Sequence, residues 1–172
     1  MSLPTIHFGT DGWRGVIGDD FTFDNLKRVS AATADYLLKT GMAPAQSILV
    51  GYDRRFLSPA FARTVCAVFR SRGLKPFLVS TALPTPAISV CIARQRWPWG
   101  IMITASHNPA AYNGFKIKEG QGRSAPPEVT QAIEALLPAS SWPVPPGPDA
   151  DNFDWQKPYE AYIRSQVDMK AI

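Results

Sequence analysis

Thr104-Ala105-Ser106-His107-Asn108-Pro109 gathers a nucleophilic hydroxyl, an imidazole and an amide into one short stretch. Such a set can pass a group through the hydroxyl, or it can be an ordinary turn, since Ser, Asn and Pro all favour turns. A hydrolase triad does not follow from it. The flanks lack Gly-x-Ser-x-Gly, His107 is adjacent to Ser106 and badly placed to be its base, and only His7 remains. Lys116, ten residues beyond Ser106, is a candidate for proton chemistry or a solvated strand lysine. The dipeptide Asn113-Gly114 favours a tight hairpin, which would fold the following strand back beside the loop.

A second cluster lies near the start of the chain, where Gly9, Gly12, Gly15 and Gly18 recur every third residue. This is neither the G-x-G-x-x-G dinucleotide fingerprint nor a P-loop, because the spacing and the Gly-Lys-Ser/Thr ending are absent. Either a glycine-rich turn joins two short strands here, or Thr10, Asp11 and Arg14 line a place where backbone approaches a ligand. In the second case Arg14 can grip an anionic oxygen bidentately. Cys66, Cys91, His7 and His107 offer no paired ligands at zinc spacing, and reduced core thiols fit better than a disulfide.

These residues must be positioned by a scaffold, and the chain has the material for one. Its 172 residues, 45% hydrophobic and 19% charged, suit one soluble domain with a real core. The excess of basic over acidic residues, 18 − 14 = +4, is mild and scattered, which suits anionic small molecules and not a nucleic-acid stripe. No apolar run approaches the ~20 residues that span a bilayer, and no basic-then-apolar leader opens the chain, so no membrane is expected and the cytoplasm is.

Ile48-Leu49-Val50, Phe77-Leu78-Val79 and Ile101-Met102-Ile103 read as buried parallel strands. Helices intervene. One follows Phe21-Thr22 and stops at Gly41, one starts at Ser58-Pro59 with Ser58 as cap and stops at Gly73, and one starts at Thr85-Pro86. The pattern predicts an α/β domain over 1–137, an open, mixed but mostly parallel sheet with helices on both faces. Ligands of such sheets sit at the carboxyl ends of the strands, where the Thr104–Pro109 loop begins. Five of the 16 prolines fall between Pro138 and Pro148, so 138–152 reads as a stiff linker. Beyond it 153–172 reads as a helix, with no strand following, that either packs back or leads to further domains.

Thr104 to Pro109 with Tyr112-Asn113-Gly114-Phe115-Lys116 closely resembles the phosphoserine loop of the α-D-phosphohexomutases, the phosphoglucomutase and phosphomannomutase family. Phe8-Gly-Thr-Asp-Gly-Trp-Arg-Gly15 resembles the family's N-terminal signature, and Gly51-Tyr-Asp-Arg-Arg-Phe-Leu-Ser58 its segment after the second core strand. The resemblance covers the first of the family's four domains. It implies reversible transfer of phosphate between O1 and O6 of a hexose phosphate, through phospho-Ser106 and a hexose bisphosphate. It further implies Lys116 as general base, His107 against the phosphoryl group, and Thr10, Arg14, Arg54 and Asn108 as phosphate or substrate binders. Arg54 is expected to help hold the loop, unless Asp53 simply pairs with Arg54 or Arg55 on the surface. Mg2+ is implied as cofactor with Ser106 as one ligand, the matching carboxylates and sugar-selecting loop lying in later domains. The implied partners are hexose phosphate, hexose bisphosphate and those domains. A stand-alone phosphosugar-binding or regulatory module without turnover is the alternative, and a phosphatase releasing free phosphate a third.

Overall fold

Runs that are apolar at consecutive positions are stable only where both faces of a sheet are covered. The computed structural model, which describes residues 6–42, 46–138, 149–168 and 171, supplies that cover. Its elements in chain order are β1 (Trp13–Val16), α1 (Phe23–Lys39), β2 (Ser47–Tyr52), α2 (Ser58–Ser71), β3 (Lys75–Val79), α3 (Thr85–Gln95), β4 (Trp99–Ile103), β5 (Tyr112–Glu119), α4 (Pro127–Glu134), β6 (Asp151–Phe153) and α5 (Gln156–Gln166). The strands form one mixed sheet in the order β1-β5-β4-β2-β3-β6. β2 is parallel to β3 and β4, β3 is parallel to β6, and β5 runs antiparallel to both β1 and β4.

The period of two divides the core. Ile48, Val50, Ile101, Ile103, Phe115 and Ile117 join Phe21, Leu26, Phe61 and Ile133 on the face covered by α1, α2 and α4. Leu49 and Met102 turn the other way, onto Ile88, Cys91 and Ile92 of α3, with Tyr159 of α5 packed against that group. Phe61 is 1% exposed and stands edge-on to Phe21 with centroids 4.9 Å apart, so truncating it to Ala would cost about 3–5 kcal/mol. On β5 the residues between Phe115 and Ile117 and beyond are Lys116 and Lys118, both buried. Alternation with Phe115 and Ile117 puts both lysines on the other face of the sheet, buried as lysines seldom are without a partner.

Several local expectations are corrected. Asn113-Gly114 makes no hairpin turn: both lie within β5, opposite Gly15 and Arg14 of β1. Gly114 is there because a Cβ would stand 2.5 Å from the Thr104 carbonyl oxygen and 2.9 Å from that of Trp13, so close strand packing and not a turn selects it. Ser58 is the first residue of α2, not its cap; Leu57 precedes it at φ 60 with no side-chain cap. Residues 151–153, assigned from sequence to the linker and final helix, form β6, whose polar Asp-Asn-Phe is too short to betray a strand. Most of the proline tract, 139–148, lies outside the described residues.

Cys66 and Cys91 are free and buried. Burial pushes the Cys66 thiol up to about 12 against the lowering influence of Arg70, and burial pushes Cys91 up to about 11. Only thiolates alkylate readily, and the raised values keep both groups protonated through neutral pH. Iodoacetamide at pH 8 is therefore expected to label neither in the folded protein and both in denaturant. Fast labelling of the native chain would contradict this packing.

Candidate active site

The loop after β4 starts at Thr104, whose N–H donates to the Gly114 carbonyl at 3.0 Å. The Thr104 hydroxyl then accepts from the Ser106 N–H at 3.0 Å, and Asn108 N–H closes on the Ala105 carbonyl at 3.0 Å. This winding leaves Ser106 at φ 57, in the left-handed region, where a non-glycine residue costs on the order of 1–3 kcal/mol. Its side chain is exposed and its hydroxyl has no hydrogen-bond partner among the described residues.

What holds the strained loop is Arg55, in the middle of the segment between β2 and α2. Its Nη2 donates to the carbonyls of Ser106 (2.9 Å) and Asn108 (2.6 Å), and its Nη1 to those of Pro109 (2.8 Å) and Tyr112 (3.0 Å). Only a planar fork of donors can collect carbonyls in this way. Asp53 aims the fork: one carboxylate oxygen lies 3.3 Å from Arg55 Nε, and the other accepts from the Arg55 N–H and the Ser58 hydroxyl. Ser58 in turn accepts from Asn113 Nδ2 at 2.9 Å, so the clasp is tied into β5.

The loop-holding contacts expected of Arg54 are thus made by Arg55. Arg54 itself lines a concave surface of about 540 Å³ with Asp53, Thr81, Leu83, Trp155 and Gln156, beside the carboxyl ends of β2 and β3.

Across the loop from this clasp stands the glycine-rich segment. β1 pairs with β5 so that Arg14 lies opposite Gly114, and Arg14 Nη1 donates to the Asn108 side-chain oxygen at 2.6 Å. Arg14 Nη2 is 3.8 Å from Asp11 Oδ2, and the same oxygen accepts from the buried Lys116 ammonium. The other Asp11 oxygen accepts from the Ser124 hydroxyl at 2.8 Å, which also receives Lys118 Nζ at 3.0 Å. Partial burial pushes Asp11 up, but hydrogen bonds from Lys116 and Ser124 and the charges of Lys116 and Lys118 outweigh it and hold the carboxyl below its usual range. Burial, aided by the Lys116 charge, draws Lys118 below the ordinary lysine value although Asp11 opposes it.

Thr10 is exposed on the turn closed by Gly9 N–H to the Gly12 carbonyl at 3.0 Å, and His107 is exposed on the loop without a hydrogen bond among the described residues. The structure therefore joins Lys116 to Arg14 through Asp11, and Arg14 directly to Asn108, two residues from Ser106. Arg54 also lines a concavity of about 500 Å³ with Arg55, Phe56 and Ala110, the last on the same loop as Ser106.

Chemically, a free hydroxyl on a braced loop, with Arg14 tied to Asn108 two residues on, suits an anion that exchanges a group with Ser106. As to a divalent cation, Ser106 offers one oxygen, and no group of three or more His, Cys, Asp or Glu that could hold a metal occurs among the described residues. The donor set of this domain alone does not fit a magnesium site.

Residues 5–143 match the family model described as phosphoglucomutase/phosphomannomutase, alpha/beta/alpha domain I. The chain is 37% identical over 145 residues to a Schizosaccharomyces pombe protein described as a probable phosphoribomutase, covering 82% of this chain and 25% of that one. It is 30% identical over 171 residues to a phosphoglucosamine mutase of Caldicellulosiruptor saccharolyticus, covering 96% and 37% respectively. A crystal structure described as a phosphomannomutase of Thermus thermophilus superposes with a TM-score of 0.91 at 37% identity, over 99% of this chain and 38% of that one. The chain thus spans a quarter to about two fifths of the length of these relatives.

Proposed function

Because this chain belongs to the phosphoglucomutase/phosphomannomutase family and carries its α/β/α domain I, we propose that it is the phosphoryl-carrying part of a phosphosugar mutase. In this reading the Ser106 oxygen attacks a phosphorus of a hexose bisphosphate, the bond from that phosphorus to the sugar oxygen breaks, and a hexose monophosphate leaves. Lys116 is the proton-transfer group of this step, taking the serine proton and giving one to the departing sugar oxygen. In the reverse step the other hydroxyl of the monophosphate gives its proton to Lys116 while its oxygen attacks the phosphorus on Ser106, the Ser106 Oγ–phosphorus bond breaks, and the proton passes from Lys116 to the released serine oxygen.

The observation that carries this reading is the free Ser106 hydroxyl held at φ 57 by a cage of its own loop's carbonyls around Arg55. Phosphoryl transfer demands positioning and fixed charge more than covalent assistance. Arg14 and Asn108, joined at 2.6 Å, face the loop as binders for the incoming phosphate, with Thr10 and His107 exposed beside it. Arg54 binds from the concavity it lines with Arg55 and Ala110. Magnesium, when bound, neutralises phosphate charge. Ser106 would be the one oxygen this chain offers it. The protein works on hexose phosphates in the cytoplasm, a setting that suits two free thiols. The described residues contain no helix long and apolar enough to cross a membrane.

Incubation with glucose 1,6-bisphosphate and magnesium, followed by intact-mass analysis and peptide mapping, is expected to find one phosphate, on Ser106. Label elsewhere, with Ser106 unmodified, would overturn the assignment.

A further inference from the structure

We propose that Ser124 is a positioning residue for Lys116, acting through Asp11 and kept in place by Lys118. The inference rests on the reading of Lys116 as the proton-transfer group, and it assigns work to three residues that the loop chemistry leaves unused.

The direction of the hydrogen bonds is dictated by chemistry. A lysine ammonium can only donate, so at the 3.0 Å contact between Lys118 Nζ and Ser124 Oγ the serine is the acceptor. The one proton of the Ser124 hydroxyl is then available for Asp11 Oδ1, 2.8 Å away, and Asp11 Oδ2 is left for Lys116. A carboxylate anchored at both oxygens cannot swing. The charged groups facing Lys116 are Asp11 from the glycine-rich turn, Arg14 from β1 and Lys118 from its own strand, whereas β4 offers Met102 at the opposing register position.

The backbone fixes each end of this arrangement. Ser124 is brought to Lys118 by an antiparallel bridge after a turn in which Glu119 N–H donates to the Arg123 carbonyl at 2.9 Å and Gly122 sits at φ 79. At the other end Gly12, next to Asp11, lies so near β5 that a Cβ would stand 2.9 Å from Lys116 Cγ. Ser124 also separates two charges that would compete. Without its hydroxyl the Lys118 ammonium, on a residue only 7% exposed, loses this acceptor, and the nearby Asp11 carboxylate is what it would turn to. Two ammonium groups would then share one carboxylate, and Lys116 would lose its fixed seat.

Trace acetylation with limiting acetic anhydride, read per lysine by peptide mass against the exposed Lys39, tests the hold on Lys116 without reference to activity. In Ser124→Ala, Lys116 is expected to label about tenfold faster than in the wild type, as befits the loss of one charge-assisted hydrogen bond. Ser124→Thr, which keeps the hydroxyl, should restore the slow rate. Unchanged Lys116 labelling in a folded Ser124→Ala protein would sink the proposal, and so would a rise shared equally by the other lysines, since that is general loosening. Lys116→Met, assayed in parallel for phosphate transfer from Ser106, keeps the two ideas apart. Wild-type transfer there removes the base role of Lys116 and leaves the labelling result to judge Ser124.

Discussion

Lys116→Met in the intact protein is expected to slow transfer of phosphate from Ser106 to a hexose monophosphate by about 10²–10⁴-fold, roughly 3–5 kcal/mol of barrier. Methionine keeps the length and apolar stem of a side chain that is 4% exposed, so packing on β5 survives while the transferable proton is lost. Asp11 loses one partner but keeps Ser124, and at 38% exposure its freed oxygen can be hydrated. Single-turnover mass analysis from pre-phosphorylated protein isolates the step. Phosphorylation of Ser106 by a reactive donor should slow as well, since Lys116 takes the serine proton there, but it should not be abolished, because Arg55 and not Lys116 holds the loop that presents the hydroxyl. An unchanged transfer rate across neutral pH would remove Lys116 from the mechanism.

Gly12→Ala is expected to be among the most damaging single-methyl changes available. Gly12 has φ 107, and its Cβ would stand 2.6 Å from the Phe115 carbonyl oxygen and 3.1 Å from Lys116 Cα, backbone that cannot step aside. Strain of about 1–3 kcal/mol from the φ alone, with the overlap added, gives a loss of about 3 kcal/mol or more. At about 2–4 °C per kcal/mol for a chain of this size, the melting temperature should fall by roughly 6–12 °C. Gly18→Ala provides the contrast. Gly18 has φ 89 but nothing within 4 Å of its Cβ, so that change carries the strain without the collision and should cost clearly less. Equal shifts for the two variants would show that the turn at Gly12 relaxes freely.

The contrast between these glycines also explains what the amino-acid sequence can disclose. Buried strands such as Ile101-Met102-Ile103 are legible because local composition and burial agree. Asn113-Gly114 misleads because its local turn preference is overruled by pairing with β1 on one side and by the Thr104 N–H on the Gly114 carbonyl on the other. β6 is illegible since Asp151-Asn152-Phe153 becomes a strand only by lying along β3. The site divides in the same way. Ser106, Arg14, Asn108 and Lys116 stand in recognisable local motifs. Arg55 and Ser124 draw their roles from contacts 53 residues away, to Asn108, and 113 residues away, to Asp11, and such pairings leave no periodic trace. Arg55 is half visible as a possible partner of Asp53, which it is, but the carbonyls it collects cannot be guessed from Asp-Arg-Arg.

The arginine clasp also gives the loop an inside and an outside of opposite polarity. In a trans peptide the C=O and the following N–H point in opposite directions. Drawing the carbonyls of Ser106 and Pro109 toward Arg55 therefore turns the amides of His107 and Ala110 away from it. The carbonyl of Asn108 is drawn inward as well, but the next residue is Pro109, which has no N–H to present. The guanidinium on one side thus orders a rim of backbone amides on the other. Arg55 sets the direction of amides that it does not itself touch.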